Sequence, residues 1–306
     1  MTTVNRSAIN KLLWVGVRSV FGLSYKEIPE EYPMVFEVRN STQAWEEDVL
    51  MTGTGYAGVK GEGESVLYDT MRNSWKARFD HETLGIALRI TAEAIEDNQY
   101  FKFAAKGGKA LARSMKLTND LRAVNVINYG TDGGHLYGDG KPLLATDHPL
   151  SGLAGGTAAN TLAVQADLSE AALEELLILA DNAVDDRGLP IRLTPKRFVC
   201  SNSQRFNITR LLRSTGRVNT PDNDINAVRE QGIFSGDPVM LRHLTNPNAW
   251  GFTTDGHDGG LIFYKRRELT MGEDTDFDTD DFKIKVTCRN SMGCADWRGY
   301  YGVLPT

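Results

Sequence analysis

The chain is poor in the residues from which most sites are built. Its 306 residues hold three cysteines, Cys200, Cys288 and Cys294. So few, and an odd number, exclude a disulfide framework, and the Cys288–Cys294 spacing matches no common zinc or redox motif. The five histidines, at 81, 135, 148, 243 and 257, never recur at ligand spacing. No G-x-S-x-G, Walker-type phosphate loop or H-E-x-x-H occurs, so no nucleophile comes with its base. Leu12–Val17 is too short and interrupted to span a bilayer. The N-terminus lacks the apolar core and small-residue cleavage site of a signal peptide, which points to folding in a reducing cytoplasm.

Basic runs are scarce as well. The densest cluster is Lys265, Arg266 and Arg267 in a chain of net charge −6, which argues against a surface that grips nucleic acid. A container that merely encloses nucleic acid tolerates mild acidity.

Three partial motifs fail on inspection. Gly53, Gly55 and Gly58 match the dinucleotide fingerprint, but Gly61 and Gly63 fall where its helix must begin, so the stretch reads as a loop. Asp274, Asp276 and Asp278 imitate half a calcium loop, with Thr279 where a glycine is needed and Lys285 where a bidentate glutamate is needed. Asp147 with His148, and Asp255 with His257 and Asp258, sit in turn-forming sequence without a second histidine. The expectation is no catalytic residue, no cofactor and no metal.

What is present is periodicity. Leu84, Ile86, Leu88 and Ile90 alternate with smaller or polar residues, as in a half-buried strand. A turn or short helix is expected around Thr91–Asp97, then a proline-free helix over 98–128 with its stripe on positions 103, 107, 110, 114, 117, 121, 124 and 128. Gly107 and Gly108 in that helix are expected to bend it or to admit a close neighbour. Asp167 and Glu170 have capping-box spacing before a helix carrying Leu168, Ala172, Leu176, Leu179 and Ala183, which Gly188 and Pro190 are expected to stop. Phe198–Cys200 reads as a buried strand and Asn202–Arg213 as a helix. Phe282, Ile284, Val286 and Cys288 alternate with Lys283, Lys285, Thr287 and Arg289, and the obvious partner of this strand is Leu84–Ile90.

The segments before this body look dependent. Residues 1–35 carry Trp14, Phe21 and Tyr25 on an arm, with a short helix expected around Ser7–Val20. Residues 36–80 resemble an extended hairpin, with Phe36–Val38 going out, a glycine-rich tip, and Val66–Tyr68 and Trp75 returning. An isolated two-stranded hairpin is marginal in water, so the first eighty residues are expected to gain their order from other copies of the chain.

Gly138–Pro149, following a long helix that ends in Asn125–Asn128, resembles the major head (capsid) proteins of tailed bacteriophages, and most of all the Mu-like major head subunit group. Ile90–Asn98, Asn246–Trp250 and Asp296–Tyr300 resemble other segments of that family, and the match runs in order over about 36–306.

The resemblance implies an α+β capsid-type fold. It has an N-terminal arm (1–35), an extended β-hairpin loop (36–80) and a peripheral domain whose first part (81–164) contains the spine helix 98–128. An inserted α/β axial domain (165–250) and peripheral return strands (251–306) complete it. It further implies pentamers and hexamers tiling an icosahedral shell around double-stranded DNA, with no sequence-specific DNA contact and no membrane. A separate scaffolding protein, a maturation protease and a portal are the implied partners. The shell would assemble in the host bacterial cytoplasm. Subunit-interface candidates are Trp14, Tyr25, Trp45, Tyr56, Lys60, Glu62 and Trp75. Lys60 falls in the loop where some family members crosslink, but no surrounding motif carries that chemistry over. Two other readings stay open at this point: a soluble α/β enzyme built on 165–250, and another virion protein of the tail or decoration type.

Overall fold

The computed structural model describes residues 21–22, 25, 27–93, 100–151, 156–216, 225–256 and 259–305. Trp14, the helix expected around Ser7–Val20, and most of the turn at 91–97 lie outside the described residues.

Twelve strands and four α-helices are described. In chain order they are β1 (Glu37–Asn40), β2 (Trp45–Thr52), β3 (Arg72–Asp80), β4 (Glu82–Ile90), α1 (Tyr100–Asn128), β5 (His148–Leu150), β6 (Gly156–Ala158), α2 (Glu170–Asp181), β7 (Pro195–Ser201), α3 (Arg205–Arg213), α4 (Ala227–Glu230), β8 (Val239–Leu241), β9 (Trp250–Thr254), β10 (Leu261–Thr275), β11 (Phe282–Cys294) and β12 (Tyr300–Val303).

Two four-stranded sheets form the body. The first has the order β1–β10–β11–β4, and the second β12–β9–β7–β8. The alternation in Phe282–Arg289 does what it implies. Phe282, Ile284, Val286 and Cys288 are buried, and β11 pairs antiparallel with β4 in the register Phe282 to Ile90 through Cys288 to Leu84. This pairing joins residues about two hundred apart in sequence.

Helix α1 spans 29 residues, roughly 43 Å at 1.5 Å per residue. Leu111, Ala112 and Met115 pack against the buried face of β11. Ala123, Val124, Val126 and Ile127 pack with Val199, Val239 and Leu241 of the second sheet. The helix is thus the beam that joins the two sheets. Gly107 admits a neighbour closely, since a Cβ there would lie 2.5 Å from Leu88 Cδ2.

The stripe expected on α1 is misplaced. Leu121 and Ala110 are exposed, and the buried line runs through Leu111, Met115, Asn119, Ala123 and Val126. Polar residues on that line conceal it in the sequence, and each is satisfied. Asn119 Oδ1 accepts from Asn290 Nδ2 at 2.9 Å, Asp120 accepts the Glu31 and Tyr32 backbone N–H groups at 2.9 and 3.0 Å, and Lys116 donates to the Ile28 carbonyl. Buried polar groups persist when bonded in this way.

The second sheet differs from expectation in composition. It includes β9 and β12, paired from Trp250–Val303 to Tyr300–Thr253, so the sheets do not divide at residue 250. Ser169, not Asp167, caps α2, its side chain accepting from Ala172 N at 3.2 Å. The helix ends at Asn182, well before Gly188, whose φ of +80° serves a later turn. Leu173, Leu176 and Leu177 of α2 and Ile208 of α3 share one cluster with Phe198 and Phe252.

Several described parts of the first eighty residues pack on the chain's own body. Tyr32, Val35 and Phe36 are buried in the α1 cluster, and Tyr32 stacks on Phe263 with ring centroids 4.2 Å apart. Strand β1, expected as the outgoing leg of the hairpin, instead pairs parallel with β10. The hairpin itself is β2–β3, and its inner face seats Leu50, Trp75, Ala77 and Phe79 on the body. Val66–Tyr68, expected as a returning strand, forms none.

Candidate assembly surfaces

The β2–β3 hairpin ends in a tip of irregular chain, residues 53–71. Glycines at 53, 55, 58, 61 and 63 prevent regular structure there. Six large apolar residues of the tip face solvent: Tyr56, Val59, Val66, Leu67, Tyr68 and Met71. Tyr56 is 74%, Leu67 72% and Tyr68 92% exposed. Burial of one such side chain stabilises by about 1.5–3 kcal/mol, so this concentration sets the tip apart from the singly scattered apolar residues of an ordinary surface.

The tip is anchored at its neck. Asp69 accepts from Gly55 N at 2.7 Å and from the Arg187 Nη2 at 2.7 Å. Those bonds, with the Gly55 amide contributing most, hold the Asp69 carboxyl below the usual carboxylate range. Arg187 lies in the turn after α2, so the tip is tied to the second sheet's unit while its apolar side chains stay free.

Under the hairpin lies a buried ionic knot. Arg298 donates to Asp186 at 2.8 Å, Asp296 at 3.3 Å and the Val184 carbonyl at 3.1 Å, and its guanidinium sits 4.4 Å from the Trp297 ring centroid. Trp75 packs beside it, the guanidinium 5.8 Å from the indole, and donates its N–H to the Ala295 carbonyl. Next to the knot, His148 is wholly buried, with Nδ1 2.5 Å from Asp139, Nε2 3.1 Å from Asn160 Oδ1, and its ring stacked on Trp297. Asn160 also donates to the carbonyls of Leu143 and Tyr300. These groups fasten the loop after α1, the hairpin base and the C-terminal strand together.

The interface candidates now separate. Tyr56, Lys60 and Glu62 are together on the exposed tip, and Trp45 is exposed at the hairpin's other end with Arg78 4.8 Å over its ring. Trp75 is a correction: it is 8% exposed and belongs to the chain's own core. Tyr25 is also engaged internally, stacked on Phe21, donating to Glu30 at 2.9 Å and lying 4.3 Å from Lys116 Nζ. Trp14 is outside the described residues. Sequence reasoning missed Val59, Leu67, Tyr68 and Met71, although their apolar character within a glycine-rich stretch was the available signal.

The imitation calcium loop is the turn between β10 and β11. Asp276 pairs with Lys283, while Asp281 bonds Arg89, Thr279 and the Ala92 N–H. The carboxylates of Asp276 and Asp281 are thus committed to neighbours. Among the described residues no group of three or more His, Cys, Asp or Glu could hold a metal ion. The three thiols are buried, and burial pushes Cys200 up to about 11.

A family model described as phage capsid protein matches residues 76–303. The chain belongs to the phage capsid protein family. No curated protein sequence matches it. Among solved structures it is similar to the procapsid of bacteriophage JBD30, with 14% identity and a TM-score of 0.54 over 100% of this chain and 77% of that one. It is also similar to the virus-like particle from Pyrococcus furiosus, with 12% identity and a TM-score of 0.51 over 94% and 98% of the two chains. The capsid of cyanophage P-SCSP1u gives 10% identity and a TM-score of 0.53 over 91% and 88%. At such identities the likeness is one of fold.

The phage capsid protein is therefore a structural subunit of a virion shell with a mixed α+β capsid fold. Its function lies in contacts with other copies of itself.

Proposed function

We propose that this capsid protein builds the icosahedral head of a tailed phage from pentamers and hexamers, with the tip at 53–71 lying across an adjacent subunit. The observation that carries this reading is the tip itself: six exposed large apolar side chains on a segment anchored by Asp69 and Arg187. A specific contact buries about 1,600 Å² in total, and a protruding hairpin supplies such an area without unfolding the body.

The sheet β1–β10–β11–β4 with α1 corresponds to a peripheral domain, and the β12–β9–β7–β8 sheet with α2, α3 and α4 to an axial domain. Trp45, Tyr56, Lys60 and Glu62 are the interface residues retained from the sequence. Membership of the Mu-like subgroup rests on the Gly138–Pro149 segment, whose Asp139 and His148 make the buried contact described above. The scaffolding protein, protease, portal and packaged DNA are partners expected on the family resemblance, and assembly would take place in the host cytoplasm.

Electron microscopy of the purified protein, alone and coexpressed with a scaffolding protein from the same genome, tests the reading. Closed particles tens of nanometres across are expected. Only monomers under both conditions would contradict it.

A further inference from the structure

Two parts of the chain are built for a sheet that the single subunit does not complete. The first is an edge. Strand β4 pairs with β11 on one side only, and among the described residues no backbone hydrogen bond runs from Glu82–Ile90 to any other segment. This edge is long and unguarded. Every residue of β4 pairs with β11 without a bulge, the strand has no proline, and Thr83–Leu88 carry no charge. Ile86 on it is exposed.

Proteins ordinarily blunt such edges with short strands, charges, bulges or proline, because an open row of N–H and C=O groups pairs with other chains. The other open edges here follow that practice. Strands β1, β5, β6, β8 and β12 have three or four residues each. Strand β2 has a bulge after Val49 and carries Glu46, Glu47 and Asp48, and β3 alternates Lys76, Arg78 and Asp80 with its buried residues.

The second part is a strand without a sheet. Residues 65–70 read Ser-Val-Leu-Tyr-Asp-Thr, in which valine and tyrosine favour strands and neither glycine nor proline occurs. They form no strand in the subunit, and Val66, Leu67 and Tyr68 are exposed. The β4 edge of the same chain is out of their reach. Phe79 lies against Gly293 and Trp75 against Ala295, while Glu82 is opposite Asn290 and Ile90 opposite Phe282, so residues 75–90 run one way along β11. From Arg72, where β3 begins, to Glu82 is roughly 33 Å of extended chain. Asp69, bonded to Arg187, holds the segment at the far end of that run.

Charge favours a meeting between copies. The tip is acidic at Glu62, Glu64 and Asp69, and the sheet beside β4 is basic, with Lys285 opposite Ala87 and Arg289 opposite Thr83.

We propose that residues 65–70 of one copy add a strand to the open edge of β4 in the neighbouring copy, extending the sheet β1–β10–β11–β4 across the subunit boundary. This rests on the capsid reading and gives the tip a receiving surface and a mode of contact. Backbone bonds supply the pairing, with Val66 and Tyr68 on one face of the added strand and Leu67 on the other.

Hydrogen exchange compared between subunits and shells is the first test. Amides in 65–70 and on the open side of 82–90 are expected to exchange at least about tenfold more slowly in shells. Protection of neither segment, or of 65–70 alone, would overturn the proposal. Leu67→Pro and Tyr68→Pro, each alone, then address the backbone. Neighbouring N–H groups in a strand point opposite ways, so one of the two prolines strikes the ladder. That variant is expected to lower shell yield about tenfold with an unchanged thermal melt, while Leu67→Val and Tyr68→Phe stay within about threefold of the natural protein. Two prolines that assemble normally, or conservative variants that lose as much, would contradict strand pairing.

A mixture of Leu67→Cys and Ile86→Cys proteins treated with a short bismaleimide fixes the partner, since the natural cysteines are buried. A species of twice the chain mass joined from position 67 to position 86 is expected in particles, and its absence there would overturn the choice of β4. Failure of the natural protein to form any particle counts against the shell reading instead, and the same crosslink in concentrated subunits still decides the pairing.

Discussion

Arg298 and Asp186 are joined at 2.8 Å with both side chains almost wholly buried, one from the C-terminal segment and one from the turn after α2. Asp296 flanks the guanidinium and two tryptophan rings cover it. Removing one partner of such a pair leaves an uncompensated charge in the core. Asp186→Ala is expected to destabilise the folded subunit by about 3–5 kcal/mol, measured by urea unfolding of the monomer. A change below about 1 kcal/mol would show that the knot is dispensable.

Two glycines at close contacts are expected to respond differently. A Cβ at Gly251 would meet the Tyr301 carbonyl at 2.5 Å and the Gly302 Cα at 2.8 Å, both backbone atoms that cannot turn aside. Gly251→Ala should cost about 1–3 kcal/mol. At Gly107 the contact is Leu88 Cδ2, the far end of a flexible side chain, and alanine gains about 1 kcal/mol of helix propensity. Gly107→Ala should therefore lie near neutral in the same unfolding assay.

Asp281 gives a pH dependence with a definite sign. Its carboxyl is held below the ordinary 3.8 first by the Thr279 hydroxyl, then by Arg89 and the Ala92 N–H. A depressed folded-state value means that its stabilising contribution is present above the unfolded value and is lost as the pH falls through the folded one. Unfolding followed from pH 5 down to pH 2 should show a steeper loss in the natural protein than in Asp281→Asn. Parallel curves would contradict the assignment.

The thiols offer a check on packing. Cys200, Cys288 and Cys294 are buried, and burial raises the pKa of each. None should react with a thiol reagent at pH 8 in the folded subunit, and all three should react in denaturant.

Much of the fold was legible wherever burial imposed a clean period. The alternation in Phe282–Arg289 specified both its buried face and its partner Leu84–Ile90, because a half-buried strand must repeat every second residue. The long proline-free stretch yielded α1, described from Tyr100 to Asn128. Its true face stayed hidden because Lys116, Asn119 and Asp120 are buried through bonds to Ile28, Asn290 and Glu31, partners no local pattern contains. The same limit explains β1, which looks like a hairpin leg until β10 lies beside it. The assembly surface was half legible. Glycine spacing marked the tip, but Trp75 read as an exposed aromatic because Arg298 and Ala295, which bury it, lie more than two hundred residues away.

The most direct test of the shell account is deletion of the tip. Replacing residues 53–71 with a short glycine-serine turn leaves Leu50, Trp75, Ala77 and Phe79 seated on the body. The account predicts that sedimentation and electron microscopy find folded subunits or small oligomers with the natural protein's thermal melt and no closed shells. Shells that close normally without the tip would contradict it.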